Sequence, residues 1–361
     1  MTALDPDALK QVQFLVFSKL EGAVTSGMIH LGDRLGLFRA LAAAGRPLTS
    51  GELAEATDLH ERWVREWARN QAAARVIEAH DDGDDDIRFA VSAEAAVVLA
   101  DPDHEAFGMG MFHRFPQTID ALRDLPESFR TGLGHDYDSH GPEGAVGIER
   151  SFEPWNRHHL VPTVLPELDG VVSKLEAGAT VIDVGCGAGG AVLMVAAAFP
   201  ASRVTGYDIS EHALARARQR LAERGLDNAA FADPRRQPMP DDGSVDLAIT
   251  SDCIHDMTDP AAAAAAIRAA VADDGTWLLV DIKALDTFAE NVAHNPMASL
   301  MYGISVLSCM SSALSEPGGA GLGTLGLPAS AAEALAHDVG FTRFRRLPVE
   351  HAINAFYEIR P

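Results

Sequence analysis

VIDVGCGAGG, residues 181–190, is the stretch that decides the fold of this 361-residue chain. A β-branched, apolar run leads into glycines at Gly185, Gly187, Gly189 and Gly190. Glycine permits a tight turn from a strand into a helix, and it lets a ligand approach backbone N–H groups that no side chain shields. The stretch therefore predicts a strand, a ligand-binding turn and a helix in succession.

Asp183, two residues before the first glycine, narrows the choice of ligand. Gly185, Gly187 and Gly190 also satisfy the GxGxxG spacing of dinucleotide-binding proteins, and Asp208 lies near the end of the next predicted strand. A carboxylate just ahead of the turn would repel a pyrophosphate, but it would attract a ligand whose nearby end carries an ammonium. An NAD-dependent oxidoreductase is therefore an alternative that Asp183 disfavours.

The order strand, Asp-x-Gly-x-Gly-x-Gly, helix, strand, Asp resembles the signature of the class I S-adenosylmethionine-dependent methyltransferases. The resemblance extends through most of residues 175–361. It implies an α/β fold with a Rossmann-like, seven-stranded sheet whose last strand is antiparallel, and S-adenosylmethionine as the cofactor. From Thr180 onward, strand and helix patterns alternate, with strands predicted at 180–184 and 203–207 and a helix at 211–224. Such alternation is typical of a parallel sheet covered on both faces.

Cofactor-binding side chains are expected at the carboxyl ends of the strands. Asp183 would meet the methionine ammonium, Asp208 would accept the ribose hydroxyls, and Asp233 resembles the acidic residue that the family places at the adenine amino group. Each aspartate alone could be a turn residue or a helix cap, but their joint register with the glycines favours a site. The predicted cofactor-binding set is Asp183, Gly185, Gly187, Gly189, Asp208, Asp233 and Ser251.

Helices are predicted at 7–24 and 33–44, and residues 30–100 carry the pattern of a winged-helix domain. Residues 49–52 predict a capping-box start to a short helix, and after a turn the segment HERWVREWARNQAAA predicts a second one. Apolar segments at 75–78 and 87–91 flank an acidic turn and predict the two strands of a wing. This pattern, with the second half, resembles bacterial winged-helix methyltransferases, including mycobacterial ones.

Charge argues against DNA as the partner of that domain. The formal net charge is −23, and five aspartates lie between positions 81 and 86, where a wing would pass along phosphates. The architecture resembles winged-helix O-methyltransferases of small molecules, in which this domain serves dimerisation and pocket closure. Phe14, Leu15 and Leu20 of the first helix are candidates for a dimer seam, or for packing within one chain.

Three regions are predicted along the chain: a winged-helix and dimerisation domain at 1–105, a linker with substrate-cleft helices at 106–175, and the methyltransferase domain at 176–361, whose insertion 284–328 would act as a substrate lid. The linker is rich in aromatic residues and histidine, which suits either a ligand cleft or ordinary packing. The predicted acceptor pocket comprises Trp155, His158, Asp252, Met301 and Tyr302.

His255, in SDCIHDMTDP, is the candidate catalytic base because an imidazole can take a proton from a hydroxyl near neutral pH. The segment resembles the Ile-x-His-Asp-Trp segment of plant-type and hydroxyindole-type O-methyltransferases, whose histidine is the general base. Here Ile254 directly precedes the histidine and Met257 replaces the tryptophan. Adjacent side chains diverge, so Asp256 is not expected to orient the ring, and the sequence identifies no other orienting group.

A divalent-metal mechanism is the rival chemistry, with Asp252, His255 or Asp256 and Asp281 as ligands. The catechol-type enzymes use an Asp-Asn pair at this point, but Ile282 follows Asp281. Three or more oxygen ligands would also have to converge. We therefore predict a mechanism without a metal.

The remaining composition is consistent with an intracellular enzyme of small molecules. Only three cysteines occur, without CxxC spacing, and neither a leader pattern nor an apolar run of about 18 residues occurs, so a cytoplasmic protein is expected. The favoured function is methyl transfer from S-adenosylmethionine to the oxygen of a small, partly apolar molecule by a homodimer. The alternatives are a ligand-sensing, non-catalytic or DNA-linked regulator and the NAD-dependent oxidoreductase.

Overall fold

A computed structural model describes residues 4–81 and 87–361, and the chain divides into two compact units at the Pro116–Gln117 bond. The predicted wing tip at 82–86 lies outside the described residues, apart from Asp81 at its start. The two units are described separately below.

The first unit is mostly helical. Its described helices are α1 (Pro6–Arg34), α2 (Leu37–Ala44), α3 (Ser50–Thr57), α4 (Glu61–Ala73), α5 (Ala93–Leu99) and α6 (Gly110–His113). Its strands are β1 (Leu48–Thr49), β2 (Glu78–His80) and β3 (Arg88–Ala90), which pair antiparallel in the order β1-β3-β2. The helix-turn-helix pair α3–α4 and the small sheet confirm the predicted winged-helix domain, and Thr49 and Glu52 form the predicted capping box. The first wing strand was predicted at 75–78 but lies at Glu78–His80, so that bound was wrong.

Helix α1 is longer than the sequence indicated. Separate helices were expected at 7–24 and 33–44, but α1 runs without a break to Arg34, so that expectation was wrong. Its C-terminal half is held by packing: Gly32 lies directly against Phe38 and Trp67, and Trp67 donates a 2.8 Å hydrogen bond to the Met28 carbonyl. Tertiary contacts of this kind override weak local helix propensity.

The second unit begins with helices that lead to the large sheet. The helices are α7 (Phe115–Asp120, which starts before the boundary), α8 (Leu125–Thr131), α9 (Gly141–His159) and α10 (Val171–Ala177). Short 3-10 turns lie at Ala121–Arg123, Tyr137–His140 and Leu165–Glu167, and a π-helical turn at Leu160–Val164.

The large sheet has the predicted class I topology. Within residues 117–361, all of them described, seven strands pair in the order β6-β5-β4-β7-β8-β10-β9. Their bounds are β4 (Thr180–Val184), β5 (Arg203–Tyr207), β6 (Ala229–Ala232), β7 (Val245–Ser251), β8 (Val271–Ile282), β9 (Arg343–Arg346) and β10 (Asn354–Arg360). Strands β4 to β8 are parallel and β10 is antiparallel to β8 and β9, which confirms the predicted α/β fold.

Helices cover both faces of this sheet. The remaining helices of this unit are α11 (Gly190–Ala198), α12 (Glu211–Arg224), α13 (Pro260–Ala270), α14 (Phe288–His294), α15 (Ala298–Ile304), α16 (Met310–Ala313) and α17 (Ala329–Asp338), with a π-helical turn at Ser305–Cys309. Val181 and Ile182 are successive residues of β4, so they point to opposite faces and belong to two different apolar cores. This sandwich aligns the carboxyl ends of β4, β5, β6, β7 and β8 along one edge, where ligands bind in such sheets.

Candidate active site

Gly185 opens the turn that follows β4. Its N–H and that of Cys186 both donate to the Tyr207 carbonyl, at 2.8 and 3.0 Å, which ties the turn to the end of β5. The residue has φ +74°, and a Cβ there would lie 2.6 Å from the Cβ of Cys253. Both the left-handed backbone and the close packing therefore require glycine at this position.

Gly187, two residues on, has open space in front of it. Its φ is +53°, and a Cβ would meet nothing within 4 Å. Its N–H donates to Asp208 Oδ2 at 2.7 Å, while the Ser210 N–H donates to Asp208 Oδ1 at 2.8 Å. The Asp208 carboxylate is thus fixed beside the turn, and each oxygen keeps acceptor capacity for a further donor.

Asp183 lies near the end of β4 and is only 3 % exposed. Burial, reinforced by the Asp208 carboxylate, raises the pKa of Asp183 to about 7. Burial also raises the pKa of Asp208. Each effect disfavours the ionised carboxylate, so a cation bound between these aspartates and the glycine turn would offset a real electrostatic cost. This donor set fits a ligand with an ammonium and neighbouring hydroxyl groups.

Asp233 follows β6 and is buried against Arg235. The guanidinium donates to both carboxylate oxygens, from Nε to Oδ1 and from Nη2 to Oδ2, each at 2.9 Å. This pairing lowers the pKa of Asp233 and keeps it ionised. Ser251, the last residue of β7, is half-buried and pairs in register with Val280 of β8.

His255 lies in a 3-10 turn, Ile254–Asp256, just beyond β7, and its side chain is almost fully buried. Its Nδ1 lies 2.6 Å from Oδ1 of Asp281, near the end of the neighbouring strand β8. Burial favours the neutral ring, but the Asp281 carboxylate and the Cys309 side chain outweigh it and hold the pKa of His255 well above its usual value. Asp281 is therefore the orienting group that the sequence did not identify.

Asp252, just after the end of β7, interacts electrostatically with both members of this pair. It adopts a left-handed backbone conformation with φ +51°, and it accepts a hydrogen bond from the Asn354 side chain through Oδ1. Its other oxygen, Oδ2, is buried and finds no hydrogen-bond partner among the described residues, which is also true of Asp281 Oδ2. Burial, together with the Asp281 carboxylate, raises the pKa of Asp252 to about 7.

A buried ion pair supports the glycine turn from below. Arg220 of α12 donates from Nη1 to the Ala188 carbonyl at 2.8 Å, and its Nη2 pairs with Glu153 of α9. Arg224 adds a second contact to Glu153, at 3.2 Å. This link between two helices and the turn was missed in the sequence, where Glu153 and Arg220 are 67 residues apart and give no local signal.

The predicted acceptor-pocket residues occupy different surroundings. Met301 packs with Ala298 and Leu325 against Ile282, next to Asp281, whereas Tyr302 is exposed beside Phe288. Trp155 lies within an aromatic group, stacked on the His159 ring at 4.6 Å and close to His351 and Phe356. His158 follows that group, with its ring 6.5 Å from the ring of His159.

Comparison with known proteins agrees with this geometry. Residues 175–316 match the family model of a methyltransferase domain, and residues 23–100 match an Rv2258c-like winged HTH domain. No curated protein matches the chain.

Solved structures match over nearly the whole length. The mitomycin 7-O-methyltransferase MmcR is 25 % identical, with a TM-score of 0.67 and 99 % of each chain covered. Human N-acetylserotonin methyltransferase, in complex with S-adenosylmethionine, is 17 % identical, with a TM-score of 0.66 over 100 % of this chain and 99 % of that one. The O-methyltransferase NcsB1 from neocarzinostatin biosynthesis is also 17 % identical, with a TM-score of 0.62 over 93 % and 95 %.

Residues 175–316 are therefore a methyltransferase domain, which lies in a unit with the class I sheet topology, and residues 23–100 are a winged-helix domain. The prediction of a methyltransferase is thereby confirmed, and S-adenosylmethionine, with which two of these neighbours were solved, is the cofactor that the comparisons support. Across residues 4–81 and 87–361, no helix has the length and apolar character needed to cross a membrane.

Proposed function

We propose that the protein transfers a methyl group to a hydroxyl oxygen of a small, partly apolar molecule, with His255 as the general base. One observation carries this proposal: His255 is buried beyond the end of β7 with its Nδ1 hydrogen-bonded to Asp281. A base fixed by a carboxylate through one ring nitrogen keeps the other nitrogen for the substrate proton.

His255 would act through proton transfer alone. Its Nδ1–H donates to Asp281 Oδ1, which leaves Nε2 to accept the proton of the acceptor hydroxyl. The positive charge that then develops on the ring is stabilised by the Asp281 carboxylate, as in other carboxylate–histidine pairs. S-Adenosylmethionine, when bound, supplies an electrophilic methyl group for in-line displacement, which depends on alignment of the two reactants.

The cofactor-binding residues are proposed on the same structural basis. Asp183 would bind the ammonium, because its buried carboxyl group needs a cation to be stable in ionised form. Gly185, Gly187 and Gly189 would present the turn to the cofactor, with Asp208 accepting the ribose hydroxyls. We also include Asp233, which would bind the adenine amino group, and Ser251, which would lie near the reacting centre.

An aromatic hydroxyl compound is the acceptor class that the neighbours favour. NcsB1 was solved with 2-hydroxy-5-methyl naphthoic acid and also with 1,4-dihydroxy-2-naphthoic acid, and MmcR is named as a mitomycin 7-O-methyltransferase. Met301 is well placed for an apolar wall beside Asp281, and Asp252 offers a buried oxygen that lacks a donor among the described side chains. The roles of Trp155, His158 and Tyr302 in the pocket stay predictions.

The domain roles are also proposals. We keep the division into a dimerisation domain at 1–105, cleft helices at 106–175 and a catalytic domain at 176–361 with a lid at 284–328. Phe14, Leu15 and Leu20 are exposed on α1, which supports a homodimer seam there. Sedimentation of a Phe14→Glu variant tests this seam. The variant is expected to sediment as a monomer and the wild type as a dimer. A cytoplasmic location likewise stays a prediction.

A DNA-linked regulator is less well supported. In α4, Arg62 pairs with Glu66 at 2.5 Å, and Arg65 pairs with Glu61 through two hydrogen bonds. Arginines held by glutamates of the same helix offer little positive field to phosphates. We expect no mobility shift of duplex DNA at low salt, and a shift would support the regulator instead.

The experiment that tests the proposed function uses S-adenosylmethionine with a 13C-labelled methyl group. Purified protein would be incubated with hydroxynaphthoic acids, simple phenols and matched aromatic amines, and the products would be read by 13C NMR, which separates O-methyl from N-methyl and C-methyl carbons. O-Methyl products from the hydroxyl compounds are expected. Methylation confined to the amines, or to ring carbons, would contradict O-methylation.

A further inference from the structure

Three potential metal ligands lie close together, and one of them is the proposed base, His255. A ligand atom of His255, one of Asp256 and the Cys309 sulfur all lie within 4.8 Å of one another. His255 and Asp256 come from the 3-10 turn after β7, and Cys309 ends the π-helical turn Ser305–Cys309. Asp256 has no role in the methyl transfer described above, and Cys309 touches it only through its hydrogen bond to His255.

These donors match the chemistry of zinc. An imidazole nitrogen, a carboxylate oxygen and a thiolate sulfur bind Zn²⁺ at about 2.0–2.3 Å in tetrahedral geometry, which puts ligand atoms about 3.3–3.8 Å apart. The ligand atoms lie within 4.8 Å of one another, so metal binding would draw the three side chains closer together. The thiolate favours a borderline-soft ion over Mg²⁺ or Ca²⁺, which prefer oxygen ligands.

Asp281 strengthens the same assignment. Metal-binding histidines commonly donate their other ring N–H to a carboxylate, which fixes the ring and raises its basicity. Asp281 stands in that relation to His255 Nδ1, so Nε2 is the nitrogen left for a metal. The protein therefore offers three direct metal ligands and a carboxylate, Asp281, that supports the histidine. The fourth tetrahedral position remains for water.

We propose that a zinc-class divalent cation binds His255, Asp256 and Cys309 and thereby inhibits the enzyme by occupying the nitrogen that the base needs. On binding, the Cys309 thiol releases its proton to solvent and its sulfur joins the metal, while His255 binds as the neutral ring. The binding site stands on the cluster alone, and only the inhibition rests on the proposed base role of His255. Such a cation would compete with the acceptor, not with S-adenosylmethionine.

Cobalt titration tests the site directly, because Co²⁺ reports its ligands by absorption and substitutes for zinc. Wild-type protein is expected to show a thiolate-to-cobalt charge-transfer band that Zn²⁺ abolishes. Cys309→Ser should remove the band, His255→Ala and Asp256→Asn should weaken cobalt affinity about tenfold or more, and the surface variant His337→Ala should match wild type. No band, or a band that survives in Cys309→Ser, would overturn the site.

A second measurement needs no variant. Cys309 is half-buried whereas Cys186 and Cys253 are buried, so iodoacetamide should label Cys309 first, as read by peptide mass spectrometry. Zn²⁺ at a concentration that abolishes the cobalt band should slow this labelling about tenfold or more, since a coordinated sulfur is not free to react. Labelling at the same rate with and without Zn²⁺ would contradict coordination by Cys309.

Activity separates the two parts of the proposal. In wild-type protein Zn²⁺ should raise the apparent KM for the acceptor and leave that for S-adenosylmethionine unchanged. In Cys309→Ser the apparent KM for the acceptor should be the same with and without Zn²⁺, whatever the activity of the variant itself. If cobalt binds as described but methyl transfer proceeds undiminished, the inhibitory role and the base role of His255 fail while the site stands.

Discussion

The carboxylate of Asp281 and the imidazole of His255 meet at 2.6 Å across the ends of two neighbouring parallel strands, β8 and β7. The two residues are 26 positions apart, and the sheet register brings them together. Both side chains are almost fully buried, so water does not screen their interaction. The carboxylate fixes the tautomer of the ring that we propose as the proton acceptor.

Asp281→Asn should change both the rate and its pH dependence. A protonated ring cannot accept a proton, so the wild-type rate should fall as the pH drops below the pKa of His255. That pKa is raised above 6.5, so the fall should begin at a pH above 6.5. Removing the anion lowers that pKa, so the acidic limb should move to lower pH, and the plateau rate should drop about 100-fold or more. A pH–rate profile of single-turnover methyl transfer checks this, and an unmoved acidic limb would contradict the pairing.

Asp183 should couple cofactor binding to pH. Its pKa of about 7 means that the apoprotein is half protonated there, while a bound ammonium favours the ionised form. Affinity for S-adenosylmethionine should therefore rise with pH up to about 7 and then level off, with proton release measurable by calorimetry in buffers of different ionisation enthalpy. Asp183→Asn should bind weakly and without this pH dependence.

The same raised pKa has a consequence for stability. A buried carboxyl group that resists ionisation contributes stability at low pH and loses it as pH rises through about 7. Without ligand, Asp183→Asn should therefore have a higher Tm than wild type at pH 8, and Asp273→Asn, at an exposed surface position, should not. Equal Tm values for Asp183→Asn and wild type would show that the ionised carboxylate carries no such cost.

Two glycines of the turn should respond differently to alanine. Both have left-handed backbones, which costs about 1–2 kcal/mol for a residue with a Cβ. Gly185→Ala also meets Cys253, adding about 1–3 kcal/mol of overpacking, whereas Gly187→Ala points into open space. Thermal unfolding should show the larger loss for Gly185→Ala, while Gly187→Ala should fold and bind S-adenosylmethionine poorly. Tight binding by Gly187→Ala would exclude that space as the cofactor position.

Arg220 is expected to act as a positioning residue. Lysine keeps the charge but lacks the two Nη groups with which the guanidinium binds the Ala188 carbonyl and Glu153 at once. The glycine turn should therefore be held less firmly. Arg220→Lys should raise the KM for S-adenosylmethionine about tenfold with little change in kcat, and the exposed neighbour Arg218→Lys should be unaffected. A parallel fall in kcat with an unchanged KM would show that Arg220 does not act through the cofactor turn.

Much of the site could be predicted because its signals are local. Asp183, the glycines and Asp208 stand at fixed offsets from strand ends, and parallel strands bring their carboxyl ends together, so chain position predicts proximity. The periodic patterns of the second half likewise placed β4, β5 and α12 at their observed bounds.

What could not be predicted depends on packing between distant segments. Glu153 meets Arg220 only because α9 lies against α12, and Cys309 approaches His255 only through the path of the insertion. The continuity of α1 through Gly32 depends on Phe38 and Trp67, which lie beyond the helix itself. No spacing rule within the sequence encodes these contacts.

The central claim is tested most directly by the single-turnover rate of methyl transfer in His255→Ala, with S-adenosylmethionine saturating and the acceptor identified by the labelled screen. His337→Ala, a histidine at a partly exposed position of α17, is the matched control. We predict that His255→Ala binds S-adenosylmethionine as wild type does but transfers the methyl group about 10²–10⁴-fold more slowly. A rate equal to that of wild type and His337→Ala would contradict the assignment of His255 as the general base.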